Sequence, residues 1–235
     1  MKVGLSYPVN ELRGGAVGRS GLVFFPWRGL QVARLFSTPA NPSSLNQAAV
    51  RAYQTASSKA FKDLSPAERA AWDSYALLYA TQQQGVQFVP PTNSMYSQVN
   101  FWRQVAGEAL SDTAPTAKPA WAVTGITSIK KNGTNLEIVF THSASSPTGE
   151  FVAVKMSGKV SSLNTRVFDG DYRLALGAAK SGNVVALSAS PQTITIALAD
   201  LWTAVTTGDV VGVSLLPISS KYAPGTAYAE VQEIA

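Results

Sequence analysis

The sequence predicts an α+β protein of several modules: an extended N-terminal arm, a small helical module, and a C-terminal antiparallel β-sandwich of the immunoglobulin or fibronectin type III kind. Three observations predict it. Apolar residues recur at three- and four-residue steps between residues 41 and 110. Seven or eight short β-type runs at roughly ten-residue spacing fill 121–235. The excess positive charge sits ahead of residue 60, where seven basic side chains stand against one acidic one.

The first zone, residues 1–40, reads as a basic arm. "LVFF" and "LQVARLF" flank "PWRG", whose proline and glycine bracket a corner, so a hairpin is expected. A lone two-stranded hairpin is marginal in water and needs a surface to lie on. Phe24, Phe25, Trp27, Leu35 and Phe36 are the expected partner-binding anchors, with Arg28 and Arg34 pairing acids on the partner. The glycines of "RGGAVGRSG" lack the G-K-[ST] ending, the preceding strand and the following helix of a phosphate loop, so they read as backbone freedom in the arm.

The second zone, 41–110, reads as three helices. "NPSS" offers Asn41 as N-cap and Pro42 at the first helical position. Leu45, Ala48, Ala49, Ala52, Tyr53, Ala56, Ala60 and Phe61 then form one stripe. "SPAE" is a capping box, with Ser65 as cap and Glu68 reaching back. Trp72, Tyr75, Ala76 and Tyr79 share a face of the helix it starts. After a break at "QQQGVQFVPPTN", Met95, Val99, Trp102, Ala106 and Ala109 mark a third helix.

"SDTAPTAKPA", residues 111–120, reads as a linker. Beyond it, Asn132–Gly133 is a strong hairpin signal inside "GITSIKKNGTNLEIVF". "EFVAVKM", "YRLAL", "NVVALSA", "QTITIAL", "DVVGVSLLPI" and "TAYAEVQEI" are further strands, and "ADLWTAV" a helical turn. The expected core comprises Trp72, Tyr75, Tyr79, Trp102, Val139, Phe151, Val154, Ile194, Ile196, Val211 and Val213.

Composition narrows function. Cysteine is absent and His142 is the sole histidine, so thiolate and His-cluster metal sites are excluded. His142 reads as an exposed loop residue with no partner for a catalytic triad. "DGDYR" lacks the ligand spacing of a calcium loop, and Asp169 and Asp171 read as turn residues. No catalytic, cofactor or metal site is expected. The start of the chain has no signal-peptide pattern and the apolar runs are short for a membrane span, so cytoplasmic synthesis without membrane contact is expected. The basic residues of 1–60 keep nucleic-acid binding open as a second reading, and Trp121 and Trp202 a glycan-binding, host-attachment role.

Three motifs in order carry a resemblance. Phe24, Trp27, Gly29 and Arg34 fit F-x-x-W/R-x-G-x-x-x-x-R. Asn41, Pro42, Ser44, Gln47 and Arg51 fit N-P-x-[ST]-x-x-Q-x-x-x-R. Leu64, Ser65, Glu68, Arg69 and Trp72 fit L-[ST]-x-x-[EQ]-R-x-x-W. Over about residues 13–110 the chain resembles a group of virion-associated proteins encoded in tailed phages and prophages, often with a C-terminal immunoglobulin-like domain. Residues 83–100 depart from the glycine-rich stretch expected there. The resemblance implies a non-enzymatic structural protein of the virion, in the capsid as an accessory or decoration protein, or at the tail. Its partners would be other virion proteins and further copies of itself.

Overall fold

The computed structural model describes residues 15–17, 22–27, 30–35, 44–83, 86–144, 149–168, 171–176, 182–201 and 203–235. The chain divides into two units, Met1–Ser43 and Ser44–Ala235. In the first, β1 (Gly15–Val17), β2 (Leu22–Trp27) and β3 (Leu30–Leu35) form one antiparallel sheet in that order. The expected hairpin is β2–β3, with Trp27 opposite Leu30 at its closed end. The strand β1, too short and glycine-rich to be read from sequence, adds to the β2 edge.

The second unit opens with α1 (Leu45–Asp63), capped by Ser44, whose Oγ accepts the Gln47 N–H at 3.3 Å. The helix therefore starts three residues beyond the start read at Pro42. Ser44 supplies the capping oxygen directly ahead of an uninterrupted helical run. Asn41 and Pro42 lie outside the described residues. Of the expected stripe, Ala49, Tyr53, Ala56, Ala60 and Phe61 are partly buried, and Tyr53, Ala60 and Phe61 pack on the helical core, whereas Leu45, Ala48 and Ala52 are exposed and Ser57 is the buried centre. Polar packing explains this, because Gln104 Nε2 on α3 (Thr92–Val105) donates to Ser57 Oγ at 3.3 Å.

The helix α2 (Pro66–Leu77) starts at the capping box: Ser65 N–H donates to Glu68 Oε2 at 2.7 Å and Glu68 N–H to Ser65 Oγ at 3.3 Å. Between α2 and α3, the expected break contains a small antiparallel hairpin of β4 (Thr81–Gln83) and β5 (Val86–Phe88). Gly107, at φ 85°, turns the chain after α3, so Ala109 lies past the helix.

Residues 111–120 are fastened to the helices. Trp72 Nε1 donates to the Asp112 carbonyl at 2.8 Å, and Tyr96 OH to Asp112 Oδ1 at 3.2 Å. Asn100 both accepts from Ser111 N–H, at 2.8 Å, and donates to its carbonyl, at 3.2 Å. Pro115 is buried. The Pro/Ala/Thr composition read as a linker here belongs to a strap.

The β-region begins with β6 (Val123–Asn132) and β7 (Asn135–His142). Their turn is centred on Gly133–Thr134 with positive φ at Gly133 alone of the two, the II′ arrangement. Then come β8 (Phe151–Val160), β9 (Arg173–Leu174), β10 (Val184–Ala186), β11 (Gln192–Ala197), β12 (Val210–Ile218) and β13 (Tyr228–Glu233). A 3₁₀ turn, Leu198–Asp200, follows β11 where a helical turn was expected. All pairings are antiparallel: β11-β7-β6 in one sheet, β10-β8-β12-β13 with β9 beside β8 in the other.

The two sheets bury a common core. Ile126, Ile129, Leu136, Ile138 and Phe140 come from one sheet, and Val152, Val154, Met156, Val211, Val213 and Leu215 from the other. The opposite face of the larger sheet is also covered. Ala153, Leu216 and Ile218 pack with Trp72, Tyr75, Tyr96, Val99 and Trp102 of the helices. Burial on both faces accounts for the near-continuous apolar runs of β8 and β12. Most expected core residues are buried, with Tyr79 and Phe151 partly so. Val139 is the misplaced one: Leu136, Ile138 and Phe140 point inward, and the two-residue period turns Val139 to the outer face.

Candidate functional site

The candidate site is the sheet of the first unit. The strand β2 carries Phe24, Phe25 and Trp27, and β3 carries Arg34 and Leu35. Pairing sets Phe24 opposite Ala33, Phe25 opposite Val32, Val23 opposite Arg34 and Leu22 opposite Leu35. Five of the seven expected partner-binding residues thus stand on two adjacent strands. Arg28 and Phe36 lie outside the described residues. Among those described, β1 and β3 are the sheet's outer strands, and such strands present backbone donors and acceptors to an added strand.

The other sequence candidates have structural roles. His142 is the last residue of β7 and is buried, not an exposed loop residue. Its Nδ1 accepts the Ala144 N–H at 3.3 Å, so Nε2 carries the proton and donates to the Ser188 carbonyl at 2.9 Å. Trp121 stands edge-on to it, with ring centroids 5.8 Å apart. Trp121 is itself buried, its Nε1 donating to Glu150 Oε2 at 3.0 Å, so its face is closed to a sugar ring. Trp202 and Asp169 lie outside the described residues. The exposed Asp171 accepts the Phe168 N–H at 3.2 Å, a turn bond.

Tyrosines link the helices to the sheet region. Tyr79 OH donates to the Pro224 carbonyl at 2.6 Å and accepts from Tyr75 OH at 2.9 Å. Burial pushes both phenols up from their ordinary values, and at Tyr96 burial and then the Asp112 carboxylate do the same. All three stay neutral donors. A cleft of about 340 Å³ at the end of β8 is lined by Lys159, Arg166, Arg173 and Asp171. Lys159 is committed to Asp209 at 2.8 Å, and Arg166 lies over the Phe168 ring. Among the described residues no group of three or more His, Asp or Glu could hold a metal, and no helix is long and apolar enough to cross a membrane.

No family model matches the chain, and no curated protein matches it. Two crystal forms of wild-type OgpA from Akkermansia muciniphila are similar in structure, each with a TM-score of 0.33. They are 12% and 14% identical to the chain, over 62% of it in both cases. The chain spans only 36% and 35% of their length.

Proposed function

We propose that this chain is a non-enzymatic structural protein of a bacteriophage particle, anchored to neighbouring subunits by its N-terminal arm and displaying an immunoglobulin-like module. A capsid accessory or decoration role is favoured over a tail-associated one, because a multi-copy β-module suits an outward-facing position. The observation that carries the reading is the division at Ser43: the basic, aromatic β2–β3 hairpin belongs to a unit separate from the rest of the chain. A segment of this size rarely sustains a core of its own and is stabilised by assembly. The motif resemblance over about residues 13–110 gives the assembly its kind. The finer fold reading is supported by strand order, with β6, β7 and β11 in one sheet and β8, β10, β12 and β13 in the other.

Deletion of residues 1–43 tests the reading. The truncated protein is expected to keep the circular dichroism of the second unit and to be missing from purified particles. Normal incorporation would overturn the arm's role, and absence of the full chain from particles would overturn the virion reading. The net charge of +6 over residues 1–60 favours one other reading, nucleic-acid binding. That reading requires an affinity for duplex DNA that falls steeply with salt and disappears with the same deletion.

A further inference from the structure

We propose that the outer edge of β11 is a strand-addition site whose occupant is β11 of a second copy of this chain. Among the described residues the strand ends its sheet and pairs with β7 alone. Leu198 N–H donates to the Thr134 carbonyl at 2.8 Å, one step beyond the Ala197–Asn135 pair. Bonded and non-bonded pairs alternate in an antiparallel ladder. The pairs Ile196–Leu136, Ile194–Ile138 and Gln192–Phe140 are therefore the bonded ones. Thr193, Thr195 and Ala197 turn their N–H and C=O groups away from β7. The II′ turn gives the same phase independently: it closes on a bonded Asn132–Asn135 pair, which directs Glu137 toward β6 and leaves Leu136 and Ile138 for β11.

Those outward groups have no backbone partner among the described residues, and Thr193 and Thr195 are exposed. The edge also lacks the usual protection. Natural edges are kept short, or carry charge, proline or a bulge. Here β10 has three residues, β13 carries Glu230 and Glu233, and β6 carries Lys130 and Lys131 and is bonded to the chain end at Ala235. In contrast, Gln192–Ala197 is six residues long, uncharged and unbroken in register.

The occupant follows from self-complementarity. About a two-fold axis at Thr195, Thr195 meets its counterpart, and Thr193 meets Ala197 of the other copy. Both of these are bonded pairs, with Ile194 and Ile196 of the two copies meeting as the non-bonded pair between them, Thr195 against Thr195 on the outer face, and no like charges opposed. Six residues bury less than the roughly 1,000 Å² of a free-standing interface. The pairing is accordingly weak in dilute solution and gains strength where copies are already held close.

The experiment uses the full chain, with sedimentation and amide exchange measured across a concentration series. Self-association is expected at high concentration, with exchange at Thr193 and Thr195 slowing at least tenfold while Ile194 and Ile196 stay protected throughout. Thr195→Pro removes an outward N–H that the β7 ladder does not use, so it should abolish the slowing at Thr193 without exposing Ile194. Thr195→Lys should do the same and serves if the proline variant misfolds. Exchange at Thr193 and Thr195 independent of concentration would overturn the proposal, as would unaltered self-association of both variants. Slowing shared between Thr195 and the amides of Leu30–Leu35 would place β3 of the other copy on the edge and overturn the β11 pairing. None of these readings depends on incorporation into a particle.

Discussion

Ser157 completes a place where two buried strands fall out of step. Pairing between β8 and β12 shifts between Val211 and Val213, which face Lys159 and Met156. Gly212 would lose its partner there, but its N–H donates to Ser157 Oγ at 2.8 Å, and that hydroxyl donates to the Gly158 carbonyl at 2.7 Å. Ser157→Ala leaves a buried N–H unpaired and should cost about 1–3 kcal/mol in urea unfolding. Gly212→Ala should cost a similar amount, about 1–3 kcal/mol, by overpacking. A Cβ at that position would stand 2.9 Å from Tyr172 Oη and 3.1 Å from Ser157 Oγ. Nearby, the Lys159 ammonium, then the Thr206 hydroxyl and N–H, hold the Asp209 carboxyl down at about 2. A carboxyl depressed by folding stabilises above its unfolded value and loses that contribution as pH falls through its folded one. Melting temperature should therefore be flat from pH 7 to about 5 and fall between about 4 and 2, less steeply in Asp209→Asn. Little at this scale was legible in the sequence. His142 reads as a loop residue because nothing local reveals that the Ser188 carbonyl, distant in sequence, accepts its Nε2–H. Val139 reads as core because hydrophobicity alone does not set the phase of a strand.

Elements were legible where their signals are local. The capping box at Ser65 and Glu68 lies within four residues and marks the start of α2. Three-residue strands such as β4 and β5 carry too few side chains to show a period. The strap at 111–120 reads as a linker for the opposite reason: its anchors are distant in sequence. Asn100 and Trp72 supply them from α3 and α2. Asn100→Ala should free Ser111 and, with its two hydrogen bonds lost, cost about 1–3 kcal/mol. Limited proteolysis should then cut first between Gly107 and Pro119. An unchanged cleavage pattern would mean that Trp72 and Tyr96 hold the strap by themselves. The candidate site was legible as far as its hairpin, since the proline–glycine corner and flanking β-type runs are contiguous. Its third strand was not.

For the whole molecule, the question is whether the β-region folds without its helices. Sequence divides the two at 111–120, whereas in the structure one face of the β8–β12 sheet is a floor for α2 and α3. Removing residues 1–118 would uncover Ala153, Leu216, Ile218, Tyr222 and Ala223, all buried in the intact second unit. The larger of these contribute about 1.5–3 kcal/mol each when fully buried. Their combined loss is comparable with the 5–15 kcal/mol by which a typical domain is stable. The Tyr79 bond to the Pro224 carbonyl and the Phe151–Tyr222 stack, whose ring centroids are 5.2 Å apart, fix that face in the intact unit. Residues 119–235 alone are therefore expected to bind a hydrophobic dye, to aggregate at micromolar concentration and to melt well below residues 44–235. The longer fragment should melt in a single transition, since the helices and the sheet share one buried layer. Two separate transitions in that fragment, or a monomeric 119–235 with an equal melting temperature, would show that the helical layer contributes little and that the sandwich is self-sufficient.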